Sequence, residues 1–450
     1  MRTTTKLAAA ASAVALSLTL AACSGTTAAS PSASGASGAA ASGTVSYWLW
    51  DANQLPAYKA CADAFTVANP TIKVEVTQAG WDDYWTKVTN GFVAGTAPDV
   101  FTDHLAKYPE FIANGQLEPL DDVPMATYQA GLADLWVGQD GVRYGVPKDF
   151  DTVALFYNKK FIEDAGYSAE DLAALTWNFD DGGSYEKIIA HLTVDKNGKR
   201  GDEAGFDKTK VKTYGLGLDG GSGGAYGQTQ WSMYTGTTGW QFTDKNPWGT
   251  KYNYNDEKFQ KTQAWMARLI EKGYMPSIAG AANSLDTFGA GKTAMITQGS
   301  WMIGAFYGLK GIEVGLAPTP TGPTGKRSSM YNGLADSIWA GSKNKPAAKK
   351  WVEFLGSAAC QDIVGDKGVV FPAIPSSTDK AAAAFKAKGV DVDAFLVHVK
   401  DGTTFLFPIT DKASAVGNIM SPAMDAVYNG KEPATSLTKA NDEVNAELGG

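Results

Sequence analysis

The first 43 residues constrain everything that follows them. Arg2 and Lys6 precede an uncharged, mostly apolar run over residues 7–22, which ends in Leu20-Ala21-Ala22-Cys23. A basic start, an apolar stretch and small residues before a cut form the pattern of an export signal, and this stretch is too short for a membrane span. The small residues before the cysteine form a lipobox, so Cys23 is the expected first mature residue and lipid acceptor. An ordinary secretory cut nearby is the competing reading. Acyl chains contribute about 0.8 kcal/mol per buried methylene, enough in combination to hold a soluble body at a membrane surface. Residues 24–43 are almost wholly Ala, Ser, Gly and Thr, which cannot bury enough apolar surface to offset their ordering entropy. The chain is therefore read as a signal over 1–22, a disordered tether over 23–43, and a folded body beginning near Thr44.

About 400 residues remain for that body, enough for two lobes rather than one core. The formal charge of the whole chain is −8, and losing Arg2 and Lys6 with the signal takes it to −10. An acidic body without a Lys/Arg cluster argues against nucleic acid as a partner. Thirteen tryptophans are more telling, because many stand beside Gly, Asn, Asp or Gln rather than inside apolar runs. Cys61 and Cys360 are the thiols left in an oxidising compartment. A disulfide between them is the expectation and two unlinked buried thiols the alternative, since spacing does not decide.

Residues 45–50 and 72–76 read as strands flanking a helix over 55–67, which Asn69-Pro70 stops. A second helix near 84–94 leads to another strand at Asp99-Val100-Phe101. This strand–helix–strand pattern predicts an α/β lobe with a largely parallel sheet. Ligands of such sheets lie at the carboxyl ends of strands, which nominates Trp50, Asp51, Asp103 and His104. Residues 148–152 suit a first crossover between lobes. Residues 177–239 read as loop-rich, with a Gly-dense stretch at 215–227 of which 220–224 is read as a flexible loop.

Several motifs then occur in an order that resembles the family 1 extracellular solute-binding proteins. They include Asn69-Pro70-x-Ile72-Lys73-Val74, Gly95-x-x-Pro98-Asp99-Val100, Tyr144-Gly145-Val146-Pro147 and Gly299-Ser300-Trp301. The order continues through Ala348-Lys349-Lys350-Trp351-Val352-Glu353-Phe354-Leu355. The resemblance implies a two-lobe periplasmic-binding-protein-like fold of type II, with hinge crossovers and a ligand cleft between the lobes. Lobe I would comprise 44–150 and 317–370, and lobe II 151–316 and 371–450 with the C-terminal helices. It also implies a receptor that captures a sugar or oligosaccharide for the permease subunits of an ABC importer. The expected protein is a monomer on the outer face of the cytoplasmic membrane, held there by its lipid. Asp151 and Trp301 fall where maltodextrin-binding relatives place a hydroxyl-binding acid and a stacking aromatic. Asp103-His104 departs from the aromatic often found there.

The rival classes are an exported glycan-active enzyme and a receptor for a peptide, a polyamine or a metal complex. Enzyme motifs occur as near misses. Gly289-Ala290-Gly291-Lys292-Thr293 ends like a phosphate loop, but Asp286 replaces its first glycine. Gly220-Gly221-Ser222-Gly223-Gly224 lacks a helix to hold a strained serine. His104, His191 and His398 have no metal-ligand spacing, and Asp195-x-Asn197-Gly198 is followed by Lys199 and Arg200, so no metal and no cofactor are expected. Asp149 and Asp151 project from one strand, whereas glycosidase carboxylates flank the scissile bond. Asp151 is therefore read as a hydroxyl acceptor, with Asp149 assisting it or fixing the hinge. Trp231, Asn332 and Asp336 complete the candidate cleft.

Overall fold

The computed structural model describes residues 41–281 and 283–449. The signal, Cys23 and the tether up to residue 40 lie outside the described residues. Twelve strands follow one another there: β1 (Gly43–Leu49), β2 (Ile72–Gln78), β3 (Val100–Asp103), β4 (Val146–Asp151), β5 (Val153–Asn158) and β6 (Val194–Asp195). The later ones are β7 (Val211–Leu216), β8 (Thr293–Gly299), β9 (Val314–Ala317), β10 (Ser329–Ile338), β11 (Phe371–Pro372) and β12 (Thr404–Leu406). Two sheets divide them between the two lobes. The first runs β2-β1-β3-β10-β4-β11, with β12 paired to β10, and the second runs β6-β7-β8-β5-β9.

In the first sheet β1, β2 and β3 are parallel, while β10 runs against both β3 and β4. The reversal has a simple cause. β1, β3 and β4 run toward the cleft, whereas β10 enters from the second lobe and runs away from it. All ten residues of β10 are buried, as suits a strand covered on both faces. The second sheet is mixed, with β7 and β8 parallel and β5 antiparallel to β8 and β9.

The helices Leu55–Ala68, Lys345–Leu355 and Ala358–Lys367 cover the first sheet. Trp351 meets Tyr47 of β1 and Phe65 at ring separations of 5.6 and 5.2 Å. Cys61 and Cys360 face each other across two of these helices and are joined, with their Cα atoms 5.2 Å apart.

The chain passes between lobes at Thr152, from β4 into β5, and again between β9 and β10. The return of the chain to lobe II at residue 371 is corrected. β11 pairs with β4, and the helix Pro375–Ala387 packs on Ala358–Lys367 through Ser377 Oγ to Asp362 Oδ1 at 2.7 Å. This segment stays with the first lobe because Phe371 has its packing partner there, 5.6 Å from Phe150. The chain reaches the second lobe's β5 later, where Phe395 meets Phe156 at a ring separation of 5.8 Å. Beyond β12 the helix Ala413–Tyr428 packs on Glu257–Glu271, with Tyr428 OH donating to Gln263 at 2.9 Å. No helix among the described residues is long and apolar enough to cross a membrane.

Candidate ligand-binding cleft

The strand ends of both sheets converge on a cleft of about 780 Å³. β1 delivers Trp50 and Asp51, β3 delivers His104, and β4 and β10 deliver Asp151 and Asn332 as cross-strand partners. From the other lobe come Trp301 and Met302 after β8, and Tyr226, Gln228 and Gln230 from the Gly-dense loop. Phe407 enters after β12.

Trp301 owes its position to the two residues before it. A Cβ on Gly299 would collide with the indole ring, so only glycine lets the ring fold back over the strand end. Ser300 then ties the turn to the opposite lobe. Its N–H donates to Thr152 O at 3.0 Å and its hydroxyl to Asp151 Oδ1 at 2.5 Å. Asp151 is 3% exposed, and burial, followed by the charge of Asp149, pushes its carboxyl well above the usual range against the pull of Ser300. Asp51, less enclosed, is also raised by burial, although its Oδ1 accepts the Asn53 N–H at 2.8 Å.

His104 is a neutral polar group here. Nδ1 accepts the Ala106 N–H at 3.1 Å, which leaves the ring proton on Nε2, 3.4 Å from the Asn332 side-chain amide. An N–H at that place calls for the amide oxygen as its acceptor. Burial, assisted by the Lys107 ammonium, depresses the imidazole to about 3. Around it the aromatic side chains form a continuous wall. Trp50 contacts Trp81 at 5.1 Å, Tyr84 at 5.3 Å and Trp85 at 5.5 Å, and His104 contacts Phe407 at 5.6 Å.

Four expected cleft residues are corrected. Asp149 precedes Asp151 by one pleat repeat and so lies inside the sheet, fully buried, with Lys148 Nζ 3.7 Å away. Lys148 in turn donates to Gln54 at 2.9 Å and covers the Tyr58 ring at 3.7 Å. Asp336 is likewise one layer back, where it accepts Tyr47 OH at 2.9 Å and Thr102 Oγ1 at 3.1 Å and so pins three strands together. Asp103 turns inward to accept the His104 N–H at 2.8 Å, and burial raises its carboxyl to about 8. Trp231 is core, packed on Phe259 at 5.0 Å and Phe242 at 5.5 Å.

The Gly-dense loop is also corrected, from flexible to anchored. Ser222 donates to Asp425 Oδ1 at 2.5 Å, and Gly224, in the left-handed region at φ 52°, backs onto Ser421 of the helix Ala413–Tyr428. The loop thus carries Tyr226, Gln228 and Gln230 on a fixed frame. These three were missed, as were Asn53, Gln54, Met302 and Phe407. Their signal was faint: a polar Gln-x-Gln after a glycine run. His191 pairs with Asp202 at 2.8 Å, and His398 is buried beside Thr319 and Thr403. Asp195 spends its oxygens on the N–H groups of Asn197, Lys199 and Asp207, as a turn residue does. Among the described residues no cluster of His, Cys, Asp or Glu could hold a metal ion.

Such a cleft offers aromatic faces, carboxylates and amides to one ligand. Comparisons with known proteins bear on what kind of protein carries it. Residues 60–390 match the family described as bacterial extracellular solute-binding protein. The maltooligosaccharide ABC transporter solute-binding lipoprotein of Streptococcus pneumoniae strain R6 is 26% identical over 353 residues, 78% of this chain and 76% of that one. The maltodextrin-binding protein MdxE of Bacillus subtilis is 28% identical over 272 residues, 59% of this chain and 58% of its own. Among solved structures, UspC of M. tuberculosis aligns with a TM-score of 0.69 at 25% identity, covering 90% of this chain and 99% of that one. Lmo0181 of Listeria monocytogenes, solved with cycloalternan, shares the fold at a TM-score of 0.75 and 20% identity, with coverage of 90% and 99%. A family match over residues 60–390 spans most of the chain, and the chain belongs to the bacterial extracellular solute-binding proteins.

Proposed function

We infer that the cleft captures a sugar or oligosaccharide outside the cell, and that the loaded protein delivers it to the permease of an ABC importer. The observation that carries this reading is Trp301 held beside Asp151 by Gly299 and Ser300. A sugar needs both: an apolar face for its C–H surface and a carboxyl to hydrogen-bond its hydroxyls. Relatives whose names specify maltooligosaccharides and maltodextrin support the same ligand class.

The chain binds and releases its ligand without chemistry. Asp149 and Asp151 come from one strand, and Asp149 is sealed behind the cleft, so these two do not flank a scissile bond as a glycosidase pair does. Attachment through Cys23 and a monomeric state complete the proposal. A palmitate analogue supplied to cells should label the wild type and not Cys23→Ser. For the ligand, the mature protein is screened by thermal shift against sugars, spermidine and short peptides. A cognate sugar raises Tm at micromolar concentration and is recovered intact. Hydrolysis of that sugar, or a response to spermidine or peptides alone, would overturn the reading.

A further inference from the structure

Phe407 enters the cleft on a stretch of backbone that belongs to neither sheet. β12 pairs with β10 only as far as Leu406, the helix Ala413–Tyr428 has not yet begun, and Pro408 has no N–H to donate. A side chain from the second lobe supplies the missing partners. The Asn246 amide donates to Phe407 O at 2.8 Å and to Leu406 O at 3.2 Å, and its oxygen accepts the Ile409 N–H at 3.0 Å. The Gly249 N–H adds a bond to Ile409 O at 3.0 Å. One turn of chain thus does for residues 406–409 what a neighbouring strand would do. The turn is itself braced, because Asp244 Oδ1 accepts the N–H groups of Thr250 and Lys251 at 2.8 and 3.1 Å.

Within this turn Trp248 has φ 60°, in the left-handed region that a bulky residue rarely adopts. Such a conformation persists only where the surroundings over-determine it. Here they do so from both lobes. The turn's backbone is tied to Ile409, while the indole N–H donates to Val137 O of the first lobe at 2.9 Å and the ring lies 5.8 Å from Tyr108. That same lobe supplies His104, the ring against which Phe407 packs at 5.6 Å. Further along the segment Gln139 donates to Asp411 Oδ2 at 2.8 Å, and Glu110 Oε1 accepts the Ser414 N–H at 2.9 Å. Phe407 is therefore gripped from the second lobe by Asn246 and referred to the first by Trp248, although neither of these residues lines the cleft.

We propose that the turn 244–251 is a strap that holds Phe407 in the cleft, with Asn246 and Trp248 as positioning residues that set ligand affinity without touching the ligand. This rests on the cleft being the binding site and adds to the sugar reading above. A ring fixed before the ligand arrives need not be ordered when it binds, so the strap keeps the cost of binding low.

The test has a ligand-free arm and a binding arm, both on the mature protein. Hydrogen exchange followed on peptides spanning residues 404–412 should quicken about ten-fold in Asn246→Ala and stay unchanged in β1. Unchanged exchange over 404–412, or faster exchange throughout the protein, would overturn the strap. For binding, the protein is titrated calorimetrically with maltose, maltotriose, lactose and mannotriose. On whichever sugar binds, Asn246→Ala and Trp248→Ala should each weaken affinity by about ten-fold, and Trp248→Phe, which keeps a ring but loses the N–H, should recover part of that loss. Because Asn246 acts through Phe407, Asn246→Ala should cost nothing further in a protein that already carries Phe407→Ala. Additive losses in that double variant, or wild-type affinity in Asn246→Ala, would overturn the proposal and leave the sugar reading standing. Binding of none of these sugars would overturn the sugar reading and not the strap, which the exchange arm upholds or overturns without a ligand.

Discussion

Trp231 and Trp301 both belong to the second lobe, and both stand among small or polar residues in the sequence, yet one is core and the other faces the cleft. Behind each is a glycine that a Cβ would make impossible, Gly227 for Trp231 and Gly299 for Trp301. What separates them is where the strand ends. Trp301 comes two residues after β8 stops, where the sheet gives way to the cleft, whereas Trp231 is surrounded by Trp240, Phe242 and Phe259. A small residue beside a tryptophan therefore reports close approach and says nothing of what lies on the ring's other face.

Substituting the two rings tests that contrast most severely. Trp231→Ala should cost about 3–5 kcal/mol of stability, the range for emptying a packed aromatic site, and urea unfolding would register it. Trp301→Ala should leave the unfolding midpoint nearly unchanged and cost about 2–4 kcal/mol of sugar affinity, as at a hot-spot aromatic. If both variants lose stability and neither loses affinity, Trp301 is a core residue too.

Asp149 and Asp151 repeat the contrast one strand away. Asp149→Asn would leave the Lys148 ammonium enclosed without its charged neighbour, a loss of roughly 3 kcal/mol of stability by analogy with broken buried pairs. Asp151→Asn should act on binding instead, costing about 0.5–1.5 kcal/mol for hydrogen bonds to an uncharged carboxyl. Circular dichroism on both variants, with calorimetry on those that fold, distinguishes the roles. An Asp149→Asn protein that folds as well as the wild type but binds poorly would return Asp149 to the cleft.

How far the sequence carried depended on the scale of each question. The α/β class and the two lobes were legible because they follow from hydrophobic period and motif order along the chain. Trp50, Asp51, His104, Asp151, Trp301 and Asn332 line the candidate cleft because each sits at or just beyond a strand's cleft end. Asp103, Asp149 and Asp336 fell one layer deeper, and a one-residue turn of the chain or a single pleat decides that depth. Sequence spacing does not resolve so small a distance. The segment 371–387 failed for another reason: its place is set by Phe371 against Phe150, a contact more than two hundred residues apart. Gln228 and Gln230 became visible only once Ser222 and Gly224 were seen fastened to the C-terminal helix.

The mildest test concerns protons. Asp103 lies behind the cleft with its carboxyl raised to about 8 by burial, while Asp149 and Asp336 are raised to about 6. In the unfolded chain all three return to ordinary carboxylate values near 4. A raised carboxyl binds more protons folded than unfolded, so its contribution to stability is complete below pH 4 and is lost as pH rises through the folded value. His104 and His398, depressed by burial to about 3 and about 4, act oppositely, and their contribution is complete above about pH 6.5. Between pH 6.5 and 8 the histidines are silent and Asp149 and Asp336 are mostly spent, which leaves Asp103, together with Asp151 that burial also holds well above the usual range, to set the slope. Each proton contributes at most about 1.4 kcal/mol per pH unit to that slope. Unfolding midpoints measured across this window should fall for the wild type and fall less steeply for Asp103→Asn, which keeps an oxygen for the His104 N–H. A wild-type profile no steeper than that of the variant would mean that Asp103 is ionised and solvated, and so belongs to the cleft after all.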